Sequence, residues 1–253
     1  MSKITVISDI DGILRQEKKD IEPAIKEQIK NFCKSGDNRL VAITGAPLSH
    51  VPLILLNYCE RVYAEHGGVC RREGDIHCSP PVALTDIMRR LGVKTSDGRE
   101  EISEGIVIIE GERRTGVTIL FGSAHHYPEI ITTADFTAVL NKIQNIVQAE
   151  KLPLFIYHGA SDGYRWVDVA STTKAITIGN LIGSGKYHKS FYLGDGDNDY
   201  EVMSSCDVIP VGFSNSNHSI QAIARQKGIF INEHAVKGGA AEFFERAING
   251  ELN

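Results

Sequence analysis

Apolar positions along this chain switch repeatedly between the period of two expected of strands and the period near 3.6 expected of helices. Ile4 to Ser8 form a short β-branched run ending at Asp9, and Ile21, Ala24, Ile25, Ile29 and Phe32 then recur at helical spacing. Leu40 to Ile43 predicts a second strand, Pro47 opens a helix through Leu48 to Tyr58, and Val62 to Ala64 predicts a third strand. Strands alternating with helices predict a parallel sheet.

After Gly74 the texture changes. A helix over Val82 to Leu91 leads into two β-rich runs, Gly105 to Ile109 and Gly116 to Phe121, which read as a hairpin around the charged turn GERRT. A helix over Ala134 to Glu150 follows, with Phe136, Val139, Leu140, Ile143, Ile146 and Val147 on one stripe, and then strands at Leu154 to Tyr157 and Tyr164 to Val169. Past Ser171 the first rhythm returns. Helices are predicted over Thr173 to Ile182, Ser216 to Gln226 and Gly239 to Ile248, with strands at Phe191 to Leu193 and Val208 to Val211. The expected fold class is α/β, a Rossmann-like parallel-sheet core over residues 1–80 and 160–253, interrupted by an α+β cap domain over residues 81–159.

Composition narrows the function classes. With 42% hydrophobic and 23% charged residues, the 253-residue chain has apolar material for a sizeable core. Its net charge of −5 argues against an electrostatic grip on nucleic acid or on an anionic membrane. No apolar run approaches the roughly 20 residues that span a bilayer. The start, MSKITVISDIDG, reaches acidic residues before a signal-peptide core forms, so a cytoplasmic location is expected, as monomer or homodimer. Cys33, Cys59, Cys70, Cys78 and Cys206 form no C-x-x-C pair and read as reduced structural thiols.

In open parallel sheets ligands bind beyond the carboxyl ends of the strands. The first strand delivers Asp9-Ile10-Asp11-Gly12, the second Thr44-Gly45, and the strand at Phe191 delivers Gly194-Asp195-Gly196-Asp197-Asn198-Asp199. Asp9 and Asp11, two apart, project to one side of an extended segment. Clustered carboxylates repel one another without a cation, and a hard oxygen donor set lacking Cys and His favours Mg²⁺ and phosphate chemistry. Any one piece alone reads as a turn or helix cap. Two decoys fail on sequence. Asp195, Asp197 and Asp199 imitate a calcium loop, but Tyr200 and Cys206 stand where its Gly and bidentate Glu belong. Gly183-Ser184-Gly185-Lys186 imitates the end of a P-loop, but Asn180 and Tyr187 break the pattern.

Together these pieces resemble the four motifs of the haloacid dehalogenase superfamily of phosphohydrolases: DIDGIL from Asp9, VAIT ending at Thr44, Lys174 in STTKA, and GDGDND from Gly194. An insert between the second and third motifs, and AEHGG at Ala64 to Gly68, resemble the Cof-type, sucrose-phosphate, trehalose-phosphate and mannosyl-3-phosphoglycerate phosphatases. Ile13 and Ala46 stand where Thr or Val, and the Arg of many Cof-type enzymes, are common.

The resemblance implies Asp9 as nucleophile and Asp11 as general acid and base, and Thr44, Gly45, Lys174 and Asn198 at the phosphate. It also implies Mg²⁺ held by Asp9, the Asp11 carbonyl and Asp195, with Asp199 as ligand or anchor. The implied substrate is a small phosphorylated metabolite, a sugar phosphate above all. A phosphosugar mutase and a non-catalytic phosphometabolite- or metal-binding regulator are the alternatives. Candidates for reading the leaving group are Arg113, Arg114, His125, His126, Tyr127, His158, Asp162 and Arg165, each also readable as a surface or turn residue.

Overall fold

A computed structural model describes residues 3–16, 19–79, 84–96, 99–102, 104–109, 113–122, 132–161, 164–187 and 189–252. The first segment runs β1 (Ile4–Asp9), α1 (Pro23–Lys34), β2 (Arg39–Ile43), a 3₁₀ turn (Leu48–His50), α2 (Leu53–Tyr58), β3 (Arg61–Ala64), β4 (Val69–Arg72) and β5 (Asp75–Cys78). The single helix predicted over Leu48 to Tyr58 is broken at Pro52. Val51, the residue before it, is extended at φ −76°, ψ 128°, as a following proline ring demands. The β4–β5 hairpin escaped the sequence reading because β5 is exposed along its length and carries no apolar alternation. Its turn puts Glu73 and Gly74 at positive φ.

The inserted elements are α3 (Leu84–Leu91), β6 (Lys94–Ser96), β7 (Arg99–Ile102), β8 (Gly105–Ile109), β9 (Gly116–Gly122), α4 (Phe136–Ala149), β10 (Phe155–Ser161) and β11 (Tyr164–Ala170). They form a six-stranded sheet in the order β10-β11-β9-β8-β7-β6. Ile87 and Leu91 of α3 and Phe136, Val139 and Ile143 of α4 pack with Val117, Ile119, Phe121, Val167 and Val169 of that sheet. Residues 82, 83 and 110–112 lie outside the described residues, so the start of the predicted first helix and the tip of the GERRT hairpin do too.

The chain returns with α5 (Lys174–Gly183), β12 (Lys189–Leu193), α6 (Asp197–Ser205), β13 (Ile209–Phe213), α7 (His218–Lys227), β14 (Ile229–Ile231), a 3₁₀ turn (Ala235–Lys237) and α8 (Gly239–Ile248). Two compact units result, residues 1–77 with 173–253, and residues 78–172. The second boundary thus falls later than residue 159, because β11 pairs along its whole length with β9 and β10.

The eight strands of the first unit are ordered β14-β13-β12-β1-β2-β3-β4-β5. All neighbours from β14 to β3 run parallel. Side chains alternate between two buried faces, as a parallel sheet covered on both sides requires. Ile4 and Val6 of β1, Leu40 and Ala42 of β2 and Phe191 and Leu193 of β12 point into a core with Phe32 of α1 and Phe243 and Phe244 of α8. There Phe32 and Phe244 approach to 5.4 Å between ring centroids. Ile7, Val41, Ile43 and Tyr192 face the other way, toward Ala175 and Ile178 of α5 and Val202 of α6.

Leaving β1, the chain adds strands first on one side through β2 and β3, and later on the other through β12 and β13. The strand order therefore reverses between β1 and β12, and their carboxyl ends border the crevice where such folds place ligands.

Candidate functional site

The β1–β12 register pairs Ser8 with Leu193, which sets Asp9 beside Gly194 and brings the acidic loop to the end of β1. Asp9 is 8% exposed and Asp199 fully buried. Asp9, Asp195 and Asp199 each offer a carboxylate oxygen, all within 4.8 Å of one another. Between them sits Lys174, 1% exposed, with Nζ 2.9 Å from Asp9 Oδ2 and 2.8 Å from Asp199 Oδ1.

Local chemistry explains how each group is delivered. Thr173 caps α5, its hydroxyl accepting the Ile176 N–H at 3.0 Å, and Lys174 is the first helical residue. A cation there faces the positive end of the helix dipole, so only the two carboxylates make its burial tolerable. Asp199 is the third residue of α6, and its Oδ2 accepts the N–H of the N-cap Gly196 at 3.1 Å and of Asp195 at 3.2 Å. Its Oδ1 accepts from Lys174 and, at 2.6 Å, from the Tyr192 hydroxyl on β12. Both oxygens of Asp199 are thereby engaged by the protein.

Gly12 lies at φ 82°, and a Cβ there would overlap the Asp195 carboxylate, so only glycine admits this approach. Asn215 donates from Nδ2 to the Gly12 carbonyl at 3.0 Å, and Asn217 N–H donates to the Asp195 carbonyl at 2.9 Å. The loop after β13 so pins both acidic loops.

Three carboxylates against one ammonium leave the cluster short of positive charge. Burial pushes Asp9 well up from its ordinary range, and Asp199 and Asp195 add to this while Lys174 opposes it. Asp195 is pushed up to about 7 by burial and by Asp199. Burial also works against the charge of Asp199, but Lys174, the Tyr192 hydroxyl and the Gly196 amide outweigh it and hold its carboxyl below the usual value. Burial and the two carboxylates raise the Tyr192 phenol, which keeps it a donor. Lys174 stays charged, its desolvation outweighed by Asp199 and Asp9.

The remaining sequence candidates are placed as follows. Asp11 stands outside the three-carboxylate cluster and pairs with Arg15, whose Nε is 2.8 Å from Asp11 Oδ1. Thr44 is 3% exposed, one residue past the Ile43 that pairs with Asp9, and its hydroxyl accepts the Ala46 N–H at 3.1 Å. Gly45 follows with the His66 ring against its backbone. Asn198 lies half-exposed in the first turn of α6. Asp197 turns away to accept from Asn217 Nδ2 at 2.8 Å, so the calcium-loop residues do not converge. Gly183 ends α5 and Ser184 caps it, which makes the P-loop imitation a helix terminus.

In the inserted unit Arg113 pairs with buried Asp168 at 3.6 Å. Arg165 stacks its guanidinium 3.5 Å over Phe136, and His158 meets the same ring at 6.2 Å, so both serve packing on α4. Arg114 is exposed, and His125, His126, Tyr127 and Asp162 lie outside the described residues. Sequence reasoning missed Arg15 and Tyr192. The signals were there: an opposite charge four residues after Asp11, and a tyrosine in the strand feeding the acidic loop.

The sheet order, the switch-point site and the interrupting unit define the haloacid dehalogenase fold. No family model and no curated protein matches the sequence. Solved structures of that fold do match. A Thermoplasma acidophilum protein superposes at TM-score 0.67 with 16% identity, covering 100% of both chains. A haloacid dehalogenase-like hydrolase from Bacteroides thetaiotaomicron superposes at 0.66 with 16% identity, over 97% of this chain and 100% of its own. Trehalose-6-phosphate phosphatase from Aspergillus fumigatus superposes at 0.59 with 16% identity, over 97% of this chain and 93% of its own. Among the described residues no helix is long and apolar enough to cross a membrane.

Proposed function

We propose that the protein is a Mg²⁺-dependent phosphomonoesterase that transfers a phosphoryl group from a small phosphorylated metabolite, a sugar phosphate above all, to Asp9 and then to water. The observation that carries this reading is the convergence of buried Asp9, Lys174 and Asp199 with half-buried Asp195 at the strand-order reversal. A structural ion pair needs no third carboxylate, and Asp195, pushed up to about 7, is poised to exchange its proton for a cation. The all-oxygen donor set suits Mg²⁺. Asp9, the Asp11 carbonyl and Asp195 are its ligands in this reading. Asp199, with both oxygens already engaged, anchors Lys174 and the loop. The bound cation supplies charge stabilisation at the phosphoryl oxygens.

The chain's own residues do the rest. An Asp9 carboxylate oxygen bonds to phosphorus as the bond to the leaving oxygen breaks, giving an aspartyl-phosphate. Asp11 gives its proton to the leaving oxygen and afterwards takes one from the water that cleaves the Asp9–phosphate bond. Lys174 offsets charge on the transferring group, with the Thr44 hydroxyl, the Gly45 amide and Asn198 holding its oxygens. Two findings favour a phosphorylated metabolite over nucleic acid: the net charge of −5, and the fold shared with a trehalose-6-phosphate phosphatase.

The test is release of inorganic phosphate from 4-nitrophenyl phosphate and a panel of sugar phosphates, with and without chelator. Chelator-sensitive release that Asp9→Asn abolishes in a folded protein is expected. Undiminished release by Asp9→Asn sinks the covalent mechanism.

A further inference from the structure

Arg15 is bound to Asp11 through both side chain and backbone. Its guanidinium meets the carboxylate side-on, Nε 2.8 Å from Oδ1 and Nη2 3.3 Å from Oδ2. The Arg15 N–H donates to the Ile10 carbonyl at 3.1 Å, and its carbonyl accepts the Gly12 N–H at 2.8 Å. Arg15 is therefore tied to Asp11 and to the residues on either side of it. Its side chain is 10% exposed, whereas that of Asp11 is 27% exposed, so the fork grips the carboxylate from the protein side and leaves its other edge open.

A planar fork fixes both the position and the plane of a carboxylate, which a lysine point charge does not. The pairing also separates two tasks that adjacent aspartates otherwise confuse. Asp9, Asp195 and Asp199 gather on one point, while Asp11, only two residues from Asp9, is drawn out of that cluster. An exposed ion pair four residues apart contributes little and explains nothing more. This one is largely buried, with 10% of the Arg15 side chain and 27% of the Asp11 side chain exposed, sits in a non-helical loop, and engages both oxygens.

We propose that Arg15 is a positioning residue that holds the carboxylate of Asp11 apart from the metal-binding aspartates and aimed at the leaving-group oxygen. The inference rests on the phosphatase reading above and adds to it a residue outside the four motifs. Arg15 itself exchanges no proton. It occupies one lone-pair site on each Asp11 oxygen, and the open edge carries the proton that passes to the leaving oxygen and the one later taken from water.

The test exploits leaving-group chemistry. Phenolate, with the acidity of a tyrosine side chain at pKa about 10, needs protonation far more than 4-nitrophenolate does. Turnover of phenyl phosphate and of 4-nitrophenyl phosphate is therefore measured as kcat/KM, which reports the transfer to Asp9. Arg15→Met is expected to lower kcat/KM for phenyl phosphate about tenfold more than for 4-nitrophenyl phosphate, and Arg15→Lys to recover only part of the difference. In an Asp11→Asn background, adding Arg15→Met is expected to alter 4-nitrophenyl phosphate turnover by less than about twofold, because the group it positions is gone. Arg15→Gln repeats the series if Arg15→Met is not folded by circular dichroism. Equal losses on the two substrates, or a full further loss in the Asp11→Asn background, overturn the inference alone. Absence of turnover of both phosphates by the unmodified protein overturns the phosphatase reading and this inference with it.

Discussion

Lys174 holds its ammonium 2.9 Å from Asp9 Oδ2 at the first turn of α5, where the helix dipole opposes a positive charge. Residue type and position conflict there unless function requires the pair, since the same site occupied by an apolar residue would cost neither desolvation nor dipole repulsion.

The conflict makes Lys174→Met informative. It leaves Asp9 and Asp199 buried without their shared partner, which costs about 3–5 kcal/mol when one member of a buried pair is removed. Phosphate release is expected to fall about a hundredfold or more, because the charge facing the transferring group is lost. Urea denaturation and initial rates with 4-nitrophenyl phosphate check both effects. A variant with wild-type rates excludes Lys174 from the chemistry.

Much of this site is legible in the chain, and the physical reason differs from residue to residue. Asp9 and Asp195 follow β-branched or aromatic runs, so the strand ends announce themselves and the parallel fold places those ends together. Lys174 was legible only through the motif pattern, because nothing in a helix-opening lysine signals burial. Tyr192 and Arg15 act through contacts that alternation alone does not specify: which strand face turns toward α6, and how tightly the loop after β1 curls. The broken helix at Pro52 was readable, since a proline inside a helical pattern ends it at the preceding residue. The late end of the inserted unit was readable too, since the first rhythm returns only past Ser171 and β11 forms a hairpin with the preceding β10 as well as pairing with β9.

Gly12→Ala tests how closely the two acidic loops must approach. Alanine at φ 82° costs roughly 1–2 kcal/mol of backbone strain, and its methyl group overlaps the Asp195 carboxylate. Asp195 must then shift. The expected outcome is a lowered melting temperature together with a weakened response to added Mg²⁺. Isothermal titration with Mg²⁺ checks the second effect, and unaltered affinity shows that Asp195 is not a ligand.

The raised carboxyl of Asp195 predicts how stability depends on pH. Its folded pKa of about 7 lies above the unfolded value near 3.9, so between the two the native state binds the extra proton. This contribution is complete below the unfolded pKa and is lost as pH rises through about 7; Asp9, also raised, works in the same direction. Metal-free protein is therefore expected to lose melting temperature from about pH 5 to about pH 8. Mg²⁺ needs the deprotonated carboxylate, so its stabilising shift runs the opposite way and grows over the same range. Asp195→Asn is expected to flatten the metal-free profile and to remove most of the Mg²⁺ shift. Thermal melts of both proteins with and without Mg²⁺ at each end of the range decide the point, and a Mg²⁺ shift larger at about pH 5 than at about pH 8 contradicts it.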